Sequence, residues 1–196
     1  MDLILIVGPQ AVGKMTVGLE LEKLINARLL FNHQTIDLFA RFLDYTPETF
    51  RLSERLRLDL FKAFTSHQET NATKGIIFTV VAGFDLESDW NVLESWIELF
   101  KHAQGRVYFV ELEADLKERI ERNTHDDRLA AKPSKRDITF SSHELLESAR
   151  SHRLNSFEGE VEERLPYVHY FKVDNTALKA SEAARRIHEW MLETGY

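Results

Sequence analysis

The residues of this chain best suited to chemistry lie at its start. Leu3 to Val7 is an unbroken apolar run, Gly8 follows it, and Gly13-Lys14 comes just before a helical pattern begins. Two glycines bracketing a short loop, with a lysine directly after, make the spacing GxxxxGK in its required setting of strand, loop and helix. Gly8 permits a backbone turn that a side chain would block. Along Gln10, Ala11, Val12, Gly13, Lys14 and Met15, successive backbone N–H groups would point inward and form a nest for phosphate oxygens. The helix N-terminus adds unpaired donors and partial positive charge, and Lys14 would reach the β- and γ-phosphates. The chemistry implied is the grip of a nucleoside triphosphate. The competing reading is an ordinary strand-turn-helix with an incidental lysine, which requires the spacing to fall by chance directly after a buried-type strand.

Met15 stands where this kind of loop usually places a Ser or Thr that ligates Mg²⁺, and the hydroxyl comes one residue later, at Thr16. On a helix that moves the oxygen about 100° around the axis. The backbone still holds phosphate, but direct metal ligation by the residue after the lysine is lost. The loop ending resembles that of adenylate kinases, Gly-Lys-Gly-Thr. The resemblance implies ATP as the nucleotide, with Mg²⁺ held largely through water and phosphate and Thr16 beside it.

Three further places could carry function. Phe31 to Asp37 contains Asn32, His33 and Gln34, with Asp37 a turn beyond; it reads as a loop leading into a helix over 36–43. His33 is a base, a substrate contact or a plain loop histidine. The second place is the end of a strand over Ile76 to Val81, the edge where open α/β sheets bind ligands. Ala82 occupies the position of a metal-organising acid there, and Asp85 is the nearest carboxylate beyond. Asp85 either takes metal or base work or simply opens the next helix. The third is the stretch from Arg119 to Arg136, six basic residues (Arg119, Arg122, Arg128, Lys132, Lys135, Arg136) against three acidic ones, inside a chain of net charge −7. Phosphoryl transfer needs positive charge around the migrating group and exclusion of water, and a basic loop hinged over the phosphates supplies both.

The elements that must position these residues alternate. Helical patterns are expected over 13–26, over 46–69 from the Thr46-Pro47-Glu48 start, from a Ser88-Asp89 cap to Gly105, beyond a Ser141/Glu144 capping box, and over 181–192. Strands are expected at 28–31, 106–112 and 167–173, besides the two named. In the long helix, Phe50, Leu56, Leu60, Phe61 and Phe64 form the expected apolar side. Arg41, Arg51, Arg55 and Arg57 lie in the same region; they either suit an anionic acceptor, because the guanidinium fork matches carboxylate or phosphate, or form a solvated helix face with Glu54 and Asp59 as partners. Arg150 and Arg153 stand at i and i+3 beyond the capping box.

Composition narrows the class. The 196 residues, 43% hydrophobic and 29% charged, suffice for one domain with a real core. The acidic balance argues against nucleic acid and membrane as partners. No cysteine is present, which excludes disulfides and thiolate metal sites and fits a cytoplasmic protein. No apolar run approaches the roughly 20 residues of a membrane span.

In element order, nearly the whole chain resembles the P-loop small-molecule kinases of the adenylate-, shikimate- and gluconate-kinase-like group. The glycine loop at 8–16 carries the resemblance, and so, less sharply, does the Leu-x-x-Arg-x-x-Arg pattern at 116–122 leading into the basic loop. It implies a three-layer α/β/α P-loop NTPase fold: a single domain with a five-stranded parallel sheet of order 2-3-1-4-5. Acceptor-side helices would fall at about 33–72 and a lid insert at about 119–137. The implied activity is transfer of the γ-phosphoryl of ATP to a small hydroxylated or anionic acceptor, by a monomer or homodimer. Lys14, Thr16 and the loop would hold triphosphate and Mg²⁺. Arg119, Arg122, Arg128 and Arg136 would close over it, with Arg150 and Arg153 neutralising charge. Asp37 or Asp85 would take the acceptor proton or orient metal-bound water. Two rival readings are a nucleotide switch or slow NTPase without an acceptor, and a nucleic-acid-end kinase, which would need a basic track outside the lid.

Overall fold

The computed structural model describes residues 1–124 and 137–196. At its centre lies β1 (Asp2–Val7), buried along its whole length. A strand without polar alternation suits a sheet covered on both faces. β1 pairs in parallel with β3 (Gly75–Val80) on one side and β4 (Arg106–Glu113) on the other. β2 (Ala27–Phe31) pairs with β3, and β5 (His169–Asp174) with β4, both parallel. The order is β2-β3-β1-β4-β5, as expected.

The period of two along each strand divides the core. Leu3, Leu5, Val7, Phe78 and Phe109 face α3 (Pro47–Ser66) and α4 (Glu87–His102), meeting Phe61, Trp90, Trp96 and Phe100. The rings meet edge to face, with Phe61 to Phe78 at 5.5 Å and Phe78 to Trp96 at 5.1 Å. Ile4, Ile6, Tyr108 and Val110 face the other way, against α1 (Lys14–Glu22) and α8 (Ala180–Glu193). The remaining helices are α2 (Asn32–Leu43), α5 (Leu116–Asn123), α6 (Ile138–Ser151) and α7 (Glu160–Arg164).

Several elements differ from the sequence reading. α1 stops at Glu22, so Leu24 is exposed while Val17 and Leu21 are buried. The expected loop at 31–37 is helix from Asn32 onward. Its start is fixed by side chains: Gln34 Oε1 accepts from Phe31 N at 2.9 Å, and Asn32 N donates to Thr79 Oγ1 on β3. α3 buries Thr49, Ser53, Arg57, Phe61 and Phe64, and leaves Phe50, Leu56 and Leu60 exposed. Its inward stripe is half polar, which an apolar count cannot see. α6 begins at Ile138 under a cap from Asp137, whose Oδ1 accepts from Phe140 N at 3.0 Å. The expected box is therefore inside the helix: Ser141 is buried and donates to Asn123 Oδ1 at 3.0 Å. α6 ends at Ser151, so Arg153 does not share a helix face with Arg150.

Candidate functional site

The loop from Gly8 to Gly13 adopts a conformation that needs its glycines. Gly8 and Gly13 have φ of 146° and 106°. A Cβ on Gly8 would sit 2.3 Å from the Leu112 carbonyl oxygen. Ala11 is left-handed at φ 60° without being glycine, a state that costs about 1–2 kcal/mol and persists only where the surroundings impose it. Three side chains impose it here. Arg119 Nε donates to the Gln10 carbonyl at 2.9 Å, Arg122 Nη1 to the Val12 carbonyl at 3.1 Å, and Asn175 Nδ2 to the same oxygen at 2.8 Å. Arg122 also donates to the carbonyls of Asn175 and Thr176 and to Glu118. Its Nη1 and Nη2 thereby brace the loop against the turn after β5, while its Nε stays with Glu118 on α5.

Lys14 bends its amine across the loop to the carbonyls of Gly8 at 2.5 Å and Pro9 at 2.8 Å. Arg119 is 7% exposed, and its Nη2 is buried without a hydrogen-bond partner among the described residues. Burial pushes its pKa below the ordinary guanidinium value. A buried cation with an idle donor beside a glycine loop is what an anion would satisfy. The Gln10 side chain reaches α6, its Nε2 donating to Ser148 Oγ at 3.0 Å.

Lys14, Gln10 and Ala11 open into a cavity of about 450 Å³, which α2, the ends of α3 and β3, and α6 complete. Asn32, His33 and Thr79 line its polar side. Behind Asn32 stands Arg57, 8% exposed, which donates to Asn32 Oδ1 and to the Ser53 carbonyl and lies over the Phe78 ring. Burial lowers its pKa, with the charge of Glu54 opposing. Of the four arginines in this region it alone is buried; Arg51 pairs with Glu48 and Arg55 with Asp59 in solvent, and Arg41 is exposed. Asp37 lies one helical turn from His33, with Nδ1 to Oδ1 at 3.7 Å. Tyr45 donates to the same Oδ1 at 3.1 Å, while Asp37 Oδ2 is buried without a hydrogen-bond partner among the described residues.

Asp85 is engaged elsewhere. Its Oδ1 accepts from Arg153 N at 2.9 Å and its Oδ2 faces His152 Nδ1 at 3.4 Å. Burial raises its pKa, but the Arg153 amide, its own amide and His152 outweigh that and hold it below the usual value. Arg153 in turn clamps Glu160 with two bonds, at 2.5 and 2.7 Å, and donates to the Phe84 carbonyl. Arg150 pairs with Glu147 in solvent. Thr16 is exposed on α1. Neither Thr16 nor Asp85 lines the cavity that holds Lys14, and no group of three or more His, Asp or Glu among the described residues is arranged to hold a metal ion. Thr16 and Asp85 are thus not brought together at the cavity that holds Lys14. Arg128 and Arg136 lie outside the described residues.

Sequence reading missed Asn175, the choice of Arg57 and the role of Glu111. Glu111 on β4 is completely buried and accepts from Asn155 Nδ2, Ser156 N and Tyr170 Oη at 2.8–2.9 Å, with Lys172 Nζ at 3.3 Å. It anchors the segment that carries Arg153. The available signal for Arg57 was its spacing: it falls i+4 from Ser53 and i−4 from Phe61 on one face, a charge inside the buried stripe.

No described protein family's sequence pattern matches the chain, and no curated protein matches it in sequence. Solved structures do match in fold. A candidate kinase from Chloroflexus aurantiacus superposes over 100% of this chain and 97% of its own, at 17% identity and a TM-score of 0.65. The shikimate kinase of Acinetobacter baumannii, solved with shikimate, covers 99% and 94% at 16% identity and TM-score 0.56. The gluconokinase of Sinorhizobium meliloti covers 98% and 93% at 14% identity and TM-score 0.57. The chain thus has the fold of the P-loop small-molecule kinases.

Proposed function

We propose that the protein is a phosphotransferase moving the γ-phosphoryl of ATP to a small hydroxylated, anionic acceptor. The observation that carries this is one cavity shared by the phosphate-loop lysine and by Asn32, His33 and Thr79 across from it. A nucleotide tail gripped by the loop would have its terminal phosphate facing an acceptor on α2 and β3. Catalysis of phosphoryl transfer is mostly positioning and charge. In our reading the loop amides from Gln10 to Met15 and Lys14 hold the phosphates. Arg119 gives its idle Nη2 to the migrating group, while Arg122 holds the loop in shape rather than touching phosphate.

Arg57, acting through or beside Asn32, supplies the positive charge for an acceptor anion. The acceptor oxygen forms a bond to the γ-phosphorus as the bond from that phosphorus to the bridging oxygen breaks and ADP leaves. The hydroxyl proton passes to His33, with Asp37 behind it to steady the imidazolium. Mg²⁺ would accompany the nucleotide, held by phosphate oxygens and water, as this hard ion usually is. We place the protein in the cytoplasm as a single domain, a monomer or homodimer; among the described residues no helix is long and apolar enough to cross a membrane.

The test is phosphorylation of a metabolite pool with labelled ATP, using the wild type and Lys14→Ala. Label should appear in an acidic, hydroxyl-bearing compound. The variant should lose nucleotide affinity by about 10–100-fold, the worth of a charge-assisted hydrogen bond, with its thermal unfolding unchanged. Nucleotide affinity equal to wild type in a folded variant would refute the reading. A second reading, a slow NTPase without acceptor, is favoured by Met15 after the lysine and by Ala82 at the end of β3. ADP release at one rate with and without every added acceptor would select it.

A further inference from the structure

The cavity is two-sided in chemistry. Gln10, Lys14, Asn32, His33 and Thr79 give it a polar side; Ile36, Tyr45, Phe50, Val80, Val81 and Phe140 give it an apolar one, with Glu144 the one carboxylate among the described lining. Three rings stand on the apolar side, Tyr45, Phe50 and Phe140, which are 44%, 47% and 60% exposed. Each ring is set by something other than a core. Tyr45 is tied through its hydroxyl to Asp37. Phe50 sits in the first turn of α3, four residues past the Thr46 carbonyl that its amide meets. Phe140 is placed by the Asp137 cap, which accepts from its amide. Three large rings held open to water around one cavity forfeit the burial that would stabilise them. Of the charged lining, Lys14 belongs to the phosphate loop and Glu144 stands on α6, one turn beyond Phe140.

We propose that the acceptor is amphiphilic: a hydroxy acid whose hydroxyl and carboxylate reach the polar side while an apolar, ring-sized body lies between Phe50, Tyr45 and Phe140. The proposal rests on the kinase reading for the direction of binding, and it narrows that reading from any polar acceptor to one with a hydrophobic body. Such a body would be stacked or edge-packed by the rings, and a pure polyol would leave the apolar side wet. A pocket of this size with apolar walls and a few fixed polar groups is the usual form of a site for a ligand of that kind.

The experiment is calorimetric titration of the full chain, without nucleotide, using two hydroxy acids that differ in their bodies: phenyllactate and glycerate. Phenyllactate should bind at least tenfold tighter. Phe50→Ala and Phe140→Ala should each reduce that ratio at least threefold, and Phe50→Leu should restore most of it; both positions are exposed, so the core is not breached. Failure of phenyllactate to bind, equal binding of the two acids, or a ratio indifferent to both truncations would overturn the proposal. AMPPNP titrated separately reports on the phosphate loop. Its failure to bind would remove the kinase reading while leaving the ratio of the two acids legible.

Discussion

At the scale of the residue, the two buried arginines differ in what they bond. Among the described residues, Arg57 is a cation with amide and carbonyl partners but no carboxylate bonded to it. Burying such a charge costs free energy that an arriving anion would return. Arg57→Met should therefore raise the KM for the acceptor about 10–100-fold, the worth of a charged hydrogen bond or two, without lowering the urea midpoint; a fall in stability with an unchanged KM would count against an acceptor role. Arg119 differs, because one donor holds the loop and another is idle. Arg119→Lys keeps the charge and loses the fork. It should lower kcat by about tenfold or more while changing nucleotide affinity less than about threefold, as single-turnover and equilibrium titrations would show. Asp85, read from sequence as a metal or base candidate or as the opening of the next helix, ties the β3–α4 connection to the segment after α6.

At the scale of the element, the glycine loop is a strained piece held by side chains from one helix, α5, and from the turn after β5. Its conformation was legible, because glycine at 8 and 13 together with a buried strand leaves few alternatives. The bracing was not: Arg122 and Asn175 are far from the loop in sequence and meet it only because β4 and β5 deliver α5 and the final turn to the same edge. Gly8→Ala should cost at least about 2 kcal/mol, since the new methyl meets a backbone carbonyl that cannot move without disturbing β4. Urea unfolding would measure it, and a loss below about 0.5 kcal/mol would mean the loop relaxes freely. In α3 the sequence showed a helix and a proline start, but its inward face followed hydrogen bonds as much as apolarity. Ser53 meets Thr35 through their hydroxyls at 2.6 Å, and Thr49 donates to the Asp44 carbonyl.

At the scale of the molecule, several carboxylates are titrated by the fold. Hydrogen bonds from Arg153 hold Glu160 below its usual pKa against burial. Thr176 does the same for Asp174 through its hydroxyl and amide. A carboxyl whose folded pKa lies below its unfolded value contributes stability above the unfolded value and loses it as pH falls through the folded one. The urea midpoint should thus be level from about pH 7 to about pH 5 and fall below about pH 4. Glu160→Gln should start lower at neutral pH and fall less steeply. A midpoint that rises on acidification would contradict the direction of these shifts. The same network reaches Glu111, so the last third of the chain is pinned to the sheet by polar groups and not by apolar packing alone.

What the amino-acid order determined by itself was local and periodic. It specified the alternation of strand and helix, the buried character of β1 and β3, and the phosphate loop, because each follows from side-chain spacing within about a dozen residues. What only the tertiary structure decided was which charges are buried and what they face. Arg57, Arg119 and Arg153 are equal in composition; burial sets the first two apart from the third, and their partners set Arg57, beside Asn32, apart from Arg119, beside the glycine loop. That separation depends on contacts between residues distant in the chain, which no spacing rule records.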